Sequence, residues 1–246
     1  MQLRFSILSW GAWAPNYQQH DDWQTWCKHS AETTKEASPT DSIYPALPQV
    51  PAMQRRRFSR LTKMMLDVSF QCDTPPNCRS IFASRHGELH RTIGLLEDII
   101  AKQPLSPLGF SQSVHNTGSG IFGILHNNTA PSTSIAAGTE TLSQAMVEAF
   151  AQLHQSAEPL LLIFGDDPVP PVYDEFTQEY ELPLALGFTL APACHRSSVK
   201  LTLSQLTQAQ QQVTPALSYG MLIHALATSQ NIAGCLSHWH WSVEHG

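Results

Sequence analysis

Leu105-Ser-Pro-Leu-Gly-Phe-Ser-Gln-Ser-Val-His-Asn-Thr-Gly-Ser-Gly120, followed after a short apolar stretch by Ala130-Pro-Ser-Thr-Ser-Ile-Ala-Ala-Gly-Thr139, decides how this chain is read. Between and beyond these segments the pattern predicts a helix near residues 120–126, a strand over 132–137 and a helix over 140–153. A strand that runs into a helix through Gly138 and Thr139 makes a sharp elbow. The same rhythm extends outward in both directions. Residues 80–84 and 160–164 read as buried strands. Residues 90–102 read as a helix with Ile93, Leu96, Ile99 and Ile100 on its inner side. Alternating strands and helices predict a layered α/β sheet with helices as crossovers.

Toward the N-terminus, residues 3–10 suit a first strand that ends at Gly11. Residues 14–51 are polar and proline-rich and read as an extended surface segment, with Trp23 and Trp26 spaced to anchor a short helix. After Pro51, the spacing of Phe58, Leu61, Met65 and Val68 predicts an amphipathic helix. Its start carries Arg55, Arg56, Arg57, Arg60 and Lys63, which suit a solvated face or contact with an acidic protein. Toward the C-terminus, residues 185–191 read as a hairpin-paired strand. From residue 196 the chain turns Gln- and Ser-rich. An apolar helix over 217–227 and an alternating strand around Trp239 and Trp241 follow.

Composition narrows the function classes. Of the 246 residues, 42% are apolar, enough for one large core or two small ones. The longest apolar runs fall far short of the roughly 20 residues of a membrane-spanning helix, and no signal-peptide pattern opens the chain, so a cytoplasmic protein away from membranes is expected. A net charge of −6 argues against nucleic acid as a partner. Cys27, Cys72, Cys78, Cys194 and Cys235 are irregularly spaced and are expected to be free thiols. No metal or cofactor is implied. Cys235, His238 and His240 have the residue types of a metal site, with the two histidines on one strand face. A terminal strand burying Leu236, Trp239, Trp241 and Val243 accounts for the same pattern.

In order and spacing, the segment 105–139 resembles the β-ketoacyl synthases. Its Ser113-Val114-His115-Asn116 version is similar to the small chain length factor subunits of aryl polyene gene clusters. The resemblance covers roughly residues 1–195. It implies half of a thiolase-like fold, a mixed sheet with helices on its faces, plus a C-terminal helix and strand extension over 196–246 packed on the same domain. Ketosynthases place a cysteine at the strand-to-helix elbow, where the helix dipole stabilises the thiolate. Here the aligned residue is Thr139, with Glu140 beside it, and no thiol lies between Cys78 and Cys194. The family's two histidines belong to a second half of the fold that these residues are not expected to build.

The resemblance therefore implies a non-catalytic subunit that forms a heterodimer with a full-length ketosynthase and helps shape its acyl tunnel. An acyl carrier protein is a further possible partner. Ser113, His115, Asn116 and the strand Ser132, Thr133, Ser134, Ile135, Ala136 and Ala137 are the expected interface. Leu108, Gly109, Phe110 and Phe122 are the expected tunnel or gating residues. Two other classes compete. One is an independent esterase or acyltransferase in which Thr139 or His115 acts, with Asn116 as oxyanion donor and Glu140 as orienting group. The other is a homodimeric scaffold for a carrier protein.

Overall fold

The computed structural model describes residues 1–27, 43–173, 175–176 and 183–246. The extended segment read over 14–51 thus lies partly, at 28–42, outside the described residues. The strands are β1 Gln2–Trp13, β2 Ser80–Ala83, β3 Ser132–Ile135, β4 Leu160–Asp166, β5 Leu184–Pro192, β6 Val199–Gln205, β7 Ile232–Leu236 and β8 Trp239–His245. The helices are α1 His20–Gln24, α2 Ala52–Arg55, α3 Arg60–Gln71, α4 Leu89–Ile100, α5 Pro107–Ser111, α6 Thr117–Leu125, α7 Thr141–Gln155, α8 Gln208–Val213 and α9 Tyr219–Ala227.

All eight strands among the described residues join one sheet in the order β3-β2-β4-β5-β1-β6-β8-β7. β2 runs parallel to both β3 and β4, and the other pairs are antiparallel. Side-chain alternation divides the core between the two faces. Leu3 and Phe5 of β1, Leu201 and Leu203 of β6, and Trp241 and Val243 of β8 pack beneath α7 and α9. On the opposite face α3 and α6 cover Trp13, Phe82, Leu161, Ile163 and Ala185. β4 is buried along its whole length because both faces are covered where it lies, which explains its unbroken apolar run.

Several expectations are corrected. The helix after Pro51 is two helices. Ser59 takes an extended conformation, and its hydroxyl caps α3 by accepting from Thr62 N at 3.0 Å. Arg60 is buried and pairs with Asp167 at 2.6 Å, so it is not part of an exposed basic face. α4 buries none of its residues, and Ile100 is 81% exposed. Periodicity identifies an apolar face but not whether the chain's own sheet lies beneath it, and here α3 and α6 already occupy that layer.

The segment after residue 196 holds three strands and two helices, not one of each, and it continues the sheet. The missed signal was period two in β6, where Leu201 and Leu203 point inward between Lys200, Thr202 and Ser204. Gly118 permits close helix packing, since a side-chain carbon there would lie 2.9 Å from Met65 Sδ. Gly120 faces open space.

The two sheet edges differ. The outer side of β7 is covered by residues 215–217, through Cys235 N to Pro215 O at 2.7 Å and Leu217 N to Cys235 O at 2.8 Å. β3 is the other end of the sheet, with half-buried to exposed residues and no described strand beyond it. An uncovered edge is a template for strand addition.

One core histidine should make stability depend on pH. His126 stacks on Phe70 and Phe122 at centroid distances of 4.7 and 4.4 Å, with Nε2 buried and unbonded. Burial holds its pKa below the ordinary 6.5. The unfolded chain then binds this proton more readily, so stability is full above that value and declines as pH falls through it. Denaturant midpoints of the wild type are expected to drop between pH 7 and pH 5, and His126→Phe is expected to flatten that drop.

Candidate functional site: the strand-to-helix elbow

β3 leads through Ala136 and Ala137 into Gly138, whose φ of +56° is a conformation glycine adopts without strain. Gly138, Thr139 and Glu140 form one 3₁₀ turn that runs directly into α7. Thr141 fixes the bend. Its hydroxyl donates to Gly138 O at 2.7 Å and accepts from Ala137 N at 3.0 Å. Glu140 N donates to Ala137 O at 3.0 Å. The elbow expected from sequence is therefore built, with Thr139 exposed on its outer side.

The β7–β8 turn lies against this elbow, which the sequence did not reveal. Ser237 Oγ donates to Thr139 O at 3.0 Å, and His238 Nδ1 meets Glu140 Oε1 at 2.6 Å. Because His238 is largely exposed, such a pair stabilises by at most about 1 kcal/mol, and its role is to orient. Cys235 reaches the same neighbourhood, with Sγ donating to Ser237 O at 3.1 Å. A thiol absent from the elbow in sequence thus lies near it in space. Burial and the nearby Glu140 carboxylate push its pKa up, which disfavours the thiolate that a nucleophile needs.

His238 and His240 do not share a face: His238 sits in the turn, while His240 points to the open polar side of the sheet. There it borders a shallow depression of about 670 Å³ with Arg4, Lys200 and Glu244. No cluster suited to a metal ion occurs among the described residues.

The proposed hydrolase constellation is not assembled by hydrogen bonds. His115 Nε2 donates to Ser84 O at 2.8 Å, Glu140 is engaged by His238, and no hydrogen bond to the Thr139 hydroxyl occurs among the described residues. Ser84 in turn donates to Asp166 at 2.9 Å, so His115 anchors its loop to the ends of β2 and β4. Asn116 is exposed, and Ser113 Oγ donates to Phe110 O at 2.8 Å. On β3, Ser132 Oγ accepts from Ser80 Oγ at 2.9 Å, Thr133 Oγ1 accepts from Gln152 Nε2 at 3.3 Å, and Ser134 and Ile135 are half-buried.

The tunnel candidates divide. Phe122 is 2% exposed and packs on Phe82 at 5.4 Å, inside this chain's own core, so it presents no surface to a partner. A side chain at Gly109 would meet Ser106 Cβ at 3.3 Å and Leu95 Cδ2 at 3.6 Å, pointing back at α4. Leu108 and Phe110 are exposed, Phe110 by 65%. Of the basic run, Arg55 donates to the Ala46 and Leu47 carbonyls and Lys63 lies 4.6 Å from the Tyr44 ring centroid, while Arg56 and Arg57 remain exposed.

The mixed sheet flanked by helices, with an edge strand turning sharply into a helix, matches the thiolase-like ketosynthase fold of solved structures. Solved structures share it. A ketosynthase in complex with its chain length factor from Xenorhabdus doucetiae matches with a TM-score of 0.74 at 22% identity, over 99% of this chain and 100% of that one. The ishigamide ketosynthase/chain length factor matches with a TM-score of 0.64 at 14% identity, over 82% and 67%. A β-ketoacyl synthase from Burkholderia phymatum gives 0.58 at 11% identity, over 93% and 71%. These likenesses are of fold. In sequence, residues 23–242 match the N-terminal domain of β-ketoacyl synthases, and the chain belongs to that family. No curated protein matches it in sequence. No helix among the described residues is long and apolar enough to cross a membrane.

Proposed function

We propose that the chain is a non-catalytic chain length factor that pairs with a full-length ketosynthase in aryl polyene synthesis, stabilising it and helping to wall its acyl tunnel. The observation that carries this reading is the elbow. Thr139 stands exposed where the family resemblance aligns the nucleophile, and a hydroxyl is far less acidic than a thiol and needs an adjacent base to attack a thioester. No such base bonds it among the described residues. Glu140 also sets a negative charge at the start of α7, which opposes a developing oxyanion.

Two further features favour a partner role. β3 offers an open edge beside the elbow. The chain matched in the Xenorhabdus complex is covered over its whole length by this one, so the two are of similar size. In this reading the partner supplies cysteine and histidines, accepts the acyl group, decarboxylates a malonyl extender and forms the carbon–carbon bond. Within the basic run, Arg56 and Arg57 are exposed cations available to an acidic acyl carrier protein.

Co-expression with each full-length ketosynthase of the same genome, followed by size-exclusion chromatography, tests the reading. A stable heterodimer that extends acyl chains is expected. Thioester hydrolysis or condensation by the purified chain alone, abolished by Thr139→Ala, would overturn it. Within the heterodimer, Phe110→Ala is expected to lengthen the products by roughly one or two extension steps without dissolving the complex, because Phe110 is the bulky side chain α5 presents outward. Mass spectrometry of the released acyl chains reads the shift.

A further inference from the structure

β1, β6 and β8 bury alternate side chains beneath α7 and α9. The intervening polar side chains line the depression of about 670 Å³ on the opposite face. Strand register sets them in one block, with Arg4 of β1 opposite Thr202 of β6, and Ser204 of β6 opposite His240 of β8. Opposed residues of an antiparallel pair stand about 5 Å apart at Cβ, and the next residue on the same face lies about 7 Å along the strand. Four donor side chains from three strands therefore share one small area. Their hydrogen bonds are not used up inside the protein. Arg4 donates to Gln2 Oε1 through Nε at 3.1 Å, which leaves both terminal nitrogens of its fork unused. The Thr202 and Ser204 hydroxyls and the His240 imidazole have no protein partner among the described residues.

Charge selects the ligand. Lys200 adds a second cation, and its ammonium donates to neutral acceptors, Ser6 Oγ at 2.8 Å, Ala193 O at 3.0 Å and His195 O at 2.7 Å. Glu244 stands opposite Lys200 but accepts from Ser242 Oγ at 3.2 Å, and its carboxylate repels an anion at that end. The end formed by Arg4, Ser204 and His240 holds donors without a carboxylate. We infer that the depression binds the phosphate group of a small phosphate ester at this end. The guanidinium fork offers parallel N–H donors to a tetrahedral oxyanion, and the two hydroxyls and the imidazole complete its shell. A volume of about 670 Å³ exceeds what a bare phosphate needs and suits a small organic ligand. The inference is independent of the partner reading, because β1, β6 and β8 lie away from the β3 edge in the sheet order.

Phosphorus NMR titration at fixed ionic strength tests this on the full chain, with any co-purifying ketosynthase left in place. The probes are inorganic phosphate and phenyl phosphate. A Kd on the order of 1 mM is expected for inorganic phosphate, and one at least about fivefold tighter for the ester, whose ring reaches the rest of the depression. Arg4→Ala is expected to weaken both by at least about tenfold and Ser204→Ala by about threefold, as befits hydrogen bonds to a charged group. Arg4 is exposed and Ser204 half-buried, so melting temperatures should stay at wild-type values. Failure of either probe to bind, or a Kd for Arg4→Ala within about twofold of wild type, overturns the inference. Equal affinity for the two probes, lost together in Arg4→Ala, would assign the site to the free phosphate ion and overturn the ester as its ligand.

Discussion

Ser134→Pro is expected to leave the chain folded and to weaken its complex with a ketosynthase by roughly 100-fold, the cost of about 3 kcal/mol for a lost bond and a ring clash. The register of β3 makes this position selective. Ser80 N donates to Pro131 O and Ser84 N to Ile135 O, each at 3.1 Å, so residues 131, 133 and 135 turn their backbone groups toward β2. Alternation sends those of Ser132 and Ser134 outward. A proline at 134 removes an outward donor and sets its ring where an added strand would lie, while the internal ladder is spared. Calorimetric titration measures the loss, and a thermal melt confirms the fold. An unchanged Kd would mean that the partner does not add to this edge.

Trp241→Ala is expected to cost about 3–5 kcal/mol, the range for emptying a buried aromatic site. Trp241 is fully buried, and it sits in register between Leu203 of β6 and Gly234 of β7, beneath the helices that also cover β1. Its core is shared with Leu3, Phe5, Leu142 and Met146 from the first part of the chain. The loss should therefore shift one cooperative denaturant transition. Two separate transitions would show that residues 196–246 form a unit of their own, contrary to the continuous sheet.

The elbow depends on both parts of the chain. β3, Gly138 and α7 come from one contiguous stretch, whereas Ser237 and His238 reach Thr139 and Glu140 from 98 residues away. That arrangement ties the elbow to the C-terminal hairpin. The turn and the C-terminal hairpin hold the strand whose edge remains open.

Much of this was legible in one dimension. Alternation and helical spacing located β2, β4, α7 and the buried Trp23, because each such signal is local and has a fixed period. The presence of Thr139 and Glu140 at the elbow could be read directly from residue order. Other features depend on which surfaces meet. The sequence of α4 marks an apolar face, but only packing shows that it covers no sheet, and Phe122 has a residue type equally suited to a tunnel wall or a core. The approach of Cys235 and His238 to the elbow, and the unequal covering of β3 and β7, arise from contacts between segments far apart in the chain. The sequence by itself determined the alternating elements and the absence of a cysteine from the strand-to-helix elbow, since both reside in neighbouring residues. Only the tertiary structure decided which edge and which helix face stay uncovered, because exposure depends on what the rest of the chain places above them.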